Sequence, residues 1–171
     1  MALELNGTTG VQGNSGAFIA GTAVASTSGT SIDFTSIPSW VKRVTINLNG
    51  VSTNGTALIW LQIGSGSIQT TGYVGVGTGF SSSGTTVTTT SAFVTADSVR
   101  AADLRNGSAI FTSLGSNTWV LQGIFSITTG VTAISWFAGS VTLSGTLDRV
   151  RITTANGTDT FDAGSINILY E

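Results

Sequence analysis

Residues 42–49 read KRVTINLN, and apolar and polar side chains alternate along them. In an extended chain, successive side chains point to opposite sides, so Val44, Ile46 and Leu48 fall on one face and polar residues on the other. This period of two is typical of a strand whose one face is buried and whose other face is wet. The stretch therefore predicts a half-buried β-strand.

The same alternation recurs on both sides of turn-forming residues. Residues 108–112 (SAIFT) and 118–125 (TWVLQGIF) flank LGSN at 114–117, which predicts a hairpin. Residues 149–153 (RVRIT) and 165–170 (SINILY) also alternate. We expect these last two segments to pair with each other across the loop that contains Asn156-Gly157.

The rest of the sequence also predicts short β-strands separated by tight turns. Asn-Gly pairs, which suit tight turns, punctuate the sequence, and apolar residues do not recur at helical spacing. Further strands are expected at 16–25, 31–34, near Tyr73, and at 92–95, 133–137 and 141–143. A total of about nine short strands predicts an all-β, antiparallel β-sandwich, jelly-roll-like, with Greek-key connections.

The domain organisation follows from length and composition. A chain of 171 residues suits one domain with a substantial core. We expect a sandwich over 16–171 and an N-terminal arm or connector over 1–15, where apolar residues are sparse. Residues 78–90 are almost all Gly, Ser and Thr and are expected to form an exposed loop. The Gly-rich stretch 75–79 is also expected to be a loop. It has neither the following helix nor the Lys of a phosphate-binding loop.

Charge limits the partners. Charged residues make up 8% of the chain, the net charge is −2, and the six basic residues are scattered, so we expect no nucleic-acid binding. The longest apolar run, at 57–63, is too short for a membrane helix, and residues 1–6 do not resemble a signal peptide. The chain is expected to be neither membrane-embedded nor Sec-exported. Because uncharged sheet edges invite association, we expect them to be used in a defined oligomer.

The inventory of reactive side chains argues against an enzyme. The sequence has no His and no Cys, which removes Ser-His and Cys-His dyads, the usual zinc sites and disulfides. Acid pairs of the glycosidase type remain, and Asp159 and Asp162 are the nearest pair in sequence. Loop aspartates cap turns more often than they catalyse or bind calcium, so we expect no catalytic, metal or cofactor site.

Aromatic residues are the candidates for binding, because flat rings suit saccharides and protein interfaces. Trp40 is expected to plug a corner, and Trp119 to lie in the core. Trp60, Tyr73 and Trp136 are the candidates for an exposed ligand platform or a subunit contact. Trp60 lies in LIWLQI at 58–63, which is apolar on both faces and is expected to be covered on two sides or to form a subunit contact.

Three charged residues form a group near the C-terminal end of the sequence. Asp148, Arg149 and Arg151 are close in sequence, and alternation places the two arginines on one face. They are interpreted either as solvated charges on a strand or as an inter-subunit salt bridge, and both interpretations give them a structural role.

Three longer stretches resemble a known family. These are SIDFTSIPSWVKRVT at 31–45, GVSTNGT at 50–56, and the terminus, GTLDRVRITT at 145–154 with NGTDTFDAGSINILYE at 156–171. They resemble the C-terminal domains of bacteriophage and prophage tail-fibre-like proteins, over about residues 22–171. The resemblance implies a virion protein, assembled in the bacterial host cytoplasm, that forms a homotrimer at the outer tip of a fibre. Its partners would be other virion proteins and a host surface polysaccharide or outer-membrane protein.

Two other functions stay open. Tail fibres are usually long, with a shaft and a virion-attachment segment, and we expect neither within these 171 residues. The alternative is a capsid or tail decoration protein that stabilises the particle without binding a receptor. A third hypothesis is a depolymerase that uses carboxylates from neighbouring chains.

Overall fold

The computed structural model describes residues 5–6, 10–11, 18–80, 84–95, 100–101, 103–129 and 133–171. These residues are all-β, and about 60% of them lie in strands. The strands are β1 (Leu5–Asn6), β2 (Gly10–Val11), β3 (Ile19–Ala20), β4 (Val24–Ala25), β5 (Ser31–Thr35), β6 (Arg43–Thr53), β7 (Ile59–Ser65), β8 (Ser67–Ile68), β9 (Val74–Phe80), β10 (Thr85–Val87), β11 (Phe93–Val94), β12 (Arg105–Gly115), β13 (Thr118–Ile127), β14 (Ala133–Thr142), β15 (Arg149–Thr154) and β16 (Phe161–Tyr170).

Two antiparallel sheets of unequal size form a sandwich, as the sequence predicted. The large sheet has nine strands in the order β10-β9-β14-β13-β12-β6-β16-β3, with β4 also paired to β16. The small sheet has five strands in the order β11-β7-β15-β5, with β8 also paired to β7. The estimate of about nine short strands was too low, because several edge strands are only two or three residues long.

The core lies between the sheets and follows the alternation of the sequence. Val44, Ile46 and Leu48 of β6 are buried, as expected for the dry face of that strand. The small sheet contributes alternating residues of β7 and β15 to the same hydrophobic cluster. Trp119 is also buried there, which confirms its expected place in the core.

The predicted hairpin is present as β12 and β13. Its tight turn is formed by Ser116 and Asn117, whose φ angles of 49° and 60° are those of the left-handed region. Turns with positive φ at both central residues match the twist of the two strands they join. The sequence signal at 114–117 was therefore sufficient to locate this hairpin.

The expected pairing of the last two long strands is wrong. β15 lies between β5 and β7 in the small sheet, whereas β16 lies beside β6 in the large sheet. Residues 155–160 between them cross from one sheet to the other, next to residues 54–58, which cross between β6 and β7. Asn54 ties the two crossings together, since its N–H donates to the Thr160 carbonyl (2.9 Å) and its Oδ1 accepts from the Thr160 N–H (2.8 Å).

The expected loops at 75–79 and 78–90 are wrong over most of their described residues, although residues 88–90 lie outside any strand. They contain β9, which pairs with β14 along seven residues, and the edge strand β10. β9 is a strand because its backbone pairs with β14. The glycines of β9 let the two backbones approach closely, since a Cβ on Gly75 would lie 2.7 Å from the Ala138 carbonyl oxygen. For the same reason β14 runs unbroken through the small residues 138–140, where two separate strands had been expected.

β7 is covered on both faces, which was one of the two interpretations of its sequence. Ile59, Leu61 and Ile63 face the core, and on the other face the Gln62 side chain is buried and donates from Nε2 to the Ser91 carbonyl (2.9 Å). Most of the proposed arm at 1–15 lies outside the described residues, apart from the antiparallel pair β1 and β2. No helix in the described part of the chain is long and apolar enough to cross a membrane.

Candidate binding surface

The outer surface of the large sheet carries a cluster of large apolar side chains on β9, β13 and β14. We call this cluster the apolar face. Its members each expose between 41% and 70% of their surface: Val74, Val76, Phe80, Ile124, Ile134 and Trp136. Ordinary soluble surfaces scatter such residues singly, so their concentration on three neighbouring strands is the feature of the molecule that calls for an explanation.

Strand register brings these residues together. Phe80 lies directly opposite Ile134, and Trp136 lies opposite Ile124 on its other neighbour, so all four project from the same side of the sheet. The rings of Phe80 and Trp136 meet edge to face, with centroids 5.1 Å apart. Trp136, one of the three aromatic candidates, is therefore half exposed at the centre of the apolar face.

A groove of about 440 Å³ runs beside Trp136. Its lining comes from β9, β12, β13 and β14: Val76, Thr78, Ser108, Ile110, Gln122, Gly123, Ile124, Trp136, Phe137 and Ala138. Four of these residues have side chains that can form hydrogen bonds: Thr78, Ser108, Gln122 and Trp136, the last through its indole N–H. The others are apolar or lack a side chain. At Gly123 a Cβ would lie 2.3 Å from the Phe137 ring, so only glycine leaves that ring its place.

The apolar face has no charge. The sequences of β9, β13 and β14 contain no Asp, Glu, Lys or Arg. Farther across the same outer surface the residues become polar, with Asn47 of β6 opposite Ser108 of β12 and Asn167 of β16. The surface therefore changes from apolar near β9 to amides and hydroxyls near β16.

The outer surface of the small sheet differs in kind. Arg151 binds Asp33 through two hydrogen bonds of 2.7 Å, and Arg149 binds Asp148 through bonds of 2.7 and 3.0 Å. The hydrogen bond from Arg149 lowers the pKa of the Asp148 carboxyl, and the bond to Asp33 raises the pKa of Arg151. All four charges thus find partners within one chain.

Trp60 is on that other surface. It is half-buried on β7, with Thr153 of β15 on one side and Val94 of β11 on the other. Because Trp60 and Trp136 belong to different sheets and face away from each other, the structure does not combine them into one site.

Tyr73 is not exposed, so its expected role as a surface platform is wrong. Its hydroxyl accepts from the Ile63 N–H (3.0 Å) and lies 3.0 Å from the Gln69 carbonyl oxygen and 3.2 Å from that of Ile63, to either of which it can donate. Burial raises the pKa of Tyr73 to about 12, with the hydrogen bond from Ile63 acting in the opposite direction. Tyr73 ties the start of β9 in the large sheet to β7 in the small sheet.

The two neighbouring acids bind their own chain. Asp159 accepts from the Ala57 N–H (2.8 Å) and from Nδ2 of Asn156 (2.7 Å), and these bonds lower the pKa of its carboxyl. Asp162 accepts from the Ser52 hydroxyl. Asp159 thus fastens the two loops that cross between the sheets. Among the described residues, no group of three or more His, Cys, Asp or Glu side chains is placed to hold a metal ion.

Sequence reasoning found Trp136 but missed the apolar residues around it. A signal was present in AISWFAG at 133–139, where Ile134 and Trp136 alternate with the buried Ala133 and Phe137. A strand that is apolar on both faces indicates a second contact. The β9 contribution was hidden, because its valines alternate with glycines and resemble a loop.

Comparisons with family models, with curated proteins and with solved structures each find no match to this chain.

Proposed function

We propose that this chain is a non-enzymatic virion module of a bacteriophage, a tail-fibre-like distal domain that assembles as a homotrimer and binds the host cell surface. The observation that carries the assembly part of the proposal is the apolar face. Its six side chains together expose on the order of 600 Å², at the upper end of the roughly 300–600 Å² of the largest patch on a typical monomer. The largest patch on a monomer is often functional, and patches beyond this range mark interaction surfaces.

The chemistry of the surface supports a binding module over an enzyme. The acids and arginines that lie close together are engaged in pairs and turn contacts within the chain, as for Asp33 with Arg151 and for Asp159 with Ala57. The sequence offers no His or Cys as a neutral-pH base or nucleophile. The place on a phage particle is supported by the resemblance at residues 31–45, 50–56 and 145–171.

The test is adsorption of fluorescently labelled, purified protein to cells of the bacterium that the parent phage infects. Saturable binding that unlabelled protein displaces is expected, with the heat-unfolded protein as the control. Absence of binding to every susceptible strain would contradict the adhesive function.

Two further measurements separate the competing functions. Immunogold labelling of intact virions is expected to mark fibre tips, whereas label on the capsid or tail tube would indicate a decoration protein. Incubation of host capsule with the protein is expected to release no oligosaccharide, and release would indicate a depolymerase.

A further inference from the structure

We infer that the groove beside Trp136 receives the β3–β4 edge of a second copy of this chain, so that each subunit contributes a groove to one neighbour and an edge to the other. The inference deepens the proposed homotrimer and rests on that part of the proposed function. It assigns two named surfaces to one contact and predicts which variants separate the subunits.

The lining of the groove favours a protein chain as the occupant. The groove has hydrogen-bonding groups on Thr78, Ser108, Gln122 and the Trp136 indole, but the exposed residues around them are mostly aliphatic. The exposed valines and isoleucines of the apolar face cannot satisfy sugar hydroxyls. Burying them against other apolar side chains stabilises by roughly 25 cal/mol per Å², which makes an uncharged, apolar protein surface the matching partner.

The chain itself carries such a surface at the opposite edge of the large sheet. Phe18 exposes 70% of its surface, and Ile19 and Val24 expose 37% and 38%. Val24 is paired with Ile166, so the two side chains point to the same side of the sheet, which is the side of the core. Ile166 is fully buried there, whereas Val24 is partly exposed to solvent. Residues 18–25 contain no charge, like the groove.

The two surfaces cannot meet within one subunit. β3 is five strands away from β14 in the large sheet, which is a separation of about 24 Å at the usual strand spacing. A contact between two different patches of identical chains is heterologous, and it closes into a ring when the rotation between neighbours divides a full turn. A trimer is one such ring, in which every groove and every edge is occupied.

The apolar face is large enough to supply most of one side of a stable contact. A standard interface buries about 800 Å² on each partner. The apolar face supplies on the order of 600 Å² of that area, and the polar side chains around the groove supply a rim.

The experiment uses the full chain and three variants, with native mass measured by light scattering. Trp136→Asp places a charge in the groove, and the double variant Phe18→Asp/Val24→Asp places charges on the edge. Leu114→Asp is the matched control, since Leu114 is 67% exposed at the β12–β13 hairpin and belongs to neither surface. Thermal unfolding of each variant verifies that it folds.

The wild type and Leu114→Asp are expected at about three times the 17.3 kDa of one chain, and the groove and edge variants at the mass of one chain. Mixing the two monomeric variants gives the decisive result. The groove variant retains an intact edge and the edge variant retains an intact groove, so an equimolar mixture is expected to form a 1:1 dimer that cannot grow further.

Each other outcome overturns the inference. An edge variant that remains trimeric shows that the edge is not the occupant, while leaving the trimer of the proposed function intact. Two variants that remain monomeric when mixed show that the groove and the edge do not bind each other. A monomeric wild type removes the homotrimer, and the adsorption assay then decides separately whether the proposed host binding survives.

Discussion

The two outer surfaces of the sandwich have the same backbone architecture but opposite chemistry. On the small sheet, Arg151 and Asp33 face solvent as a bidentate ion pair. On the large sheet, Trp136 and Ile124 occupy the equivalent outward positions without a single charge on β9, β13 or β14. Both inner surfaces must be apolar because they form the core. Outward-facing positions have no such requirement, so their composition indicates whether each surface contacts water or another molecule.

The two surfaces also differ in whether their side chains have interaction partners within the chain. The small-sheet charges are paired within the chain, so water completes their environment and no partner is needed. The apolar face has nothing within the described chain to cover it. This contrast separates a charged, solvated surface from an uncovered apolar one, and changes on each surface test it.

The largest effect is expected in the core, which both surfaces share. Phe125 is fully buried beneath the apolar face and packs against Phe137 with ring centroids 4.9 Å apart. Phe125→Ala should lower the free energy of unfolding by about 3–5 kcal/mol, because it removes apolar contacts and leaves a cavity. Urea denaturation measures this, with Leu114→Ala as the exposed control. A loss below about 1 kcal/mol would show that the core rearranges around the site.

Tyr73→Phe is expected to have the next largest effect, because it cuts a link between the two sheets. The buried Ile63 N–H would lose its hydroxyl acceptor, which should cost about 1–3 kcal/mol. Urea denaturation at neutral pH measures this loss. An unchanged free energy of unfolding would mean that the hydroxyl contributes nothing to the link.

The same residue predicts a pH dependence. The pKa of Tyr73 is about 12 in the folded protein, above the usual value of 10.0, so the folded state retains the phenol proton longer than the unfolded state does. The contribution is fully present below pH 10 and is lost as pH rises towards 12. The wild type should therefore lose stability across this window more steeply than Tyr73→Phe. Equal slopes would contradict the assigned burial.

A smaller effect, specific to assembly, is expected on the apolar face. Ile134→Thr should change the stability of a single chain by less than about 0.5 kcal/mol, because the side chain is on the surface. Since association stabilises the folded state by mass action, the melting temperature of the wild type should rise with protein concentration, and Ile134→Thr should reduce that rise. Thr35→Val on the small sheet is the control and should leave the rise unchanged.

The smallest effect is expected on the small sheet. A double-mutant cycle with Asp33→Asn and Arg151→Gln should give a coupling below about 1 kcal/mol, because both partners are partly exposed to water. The coupling should decrease as salt is added. A value of several kcal/mol would mean that this surface, too, is covered in the assembled protein.

Much of the fold could be predicted because its signals are local. The alternation at 42–49 identified both β6 and its buried face, and the residues at 114–117 identified the hairpin. The position of Tyr73 could not be predicted in this way. Its burial depends on Ile63 and Gln69 lying around its hydroxyl, and their approach is a consequence of how β7 and β9 are placed in two different sheets.

The order of residues along the chain is enough to identify the extended segments and their buried faces, because side-chain direction in a strand has a period of two. Which strands are neighbours depends on the folded arrangement, because backbone hydrogen bonds join segments irrespective of their side chains. That is why β15 and β16 separate into two sheets, why the Gly-rich β9 is a strand, and why Trp136 lies beside Phe80 and Ile134. The apolar face arises from pairing between distant segments, and no single segment of the sequence contains it.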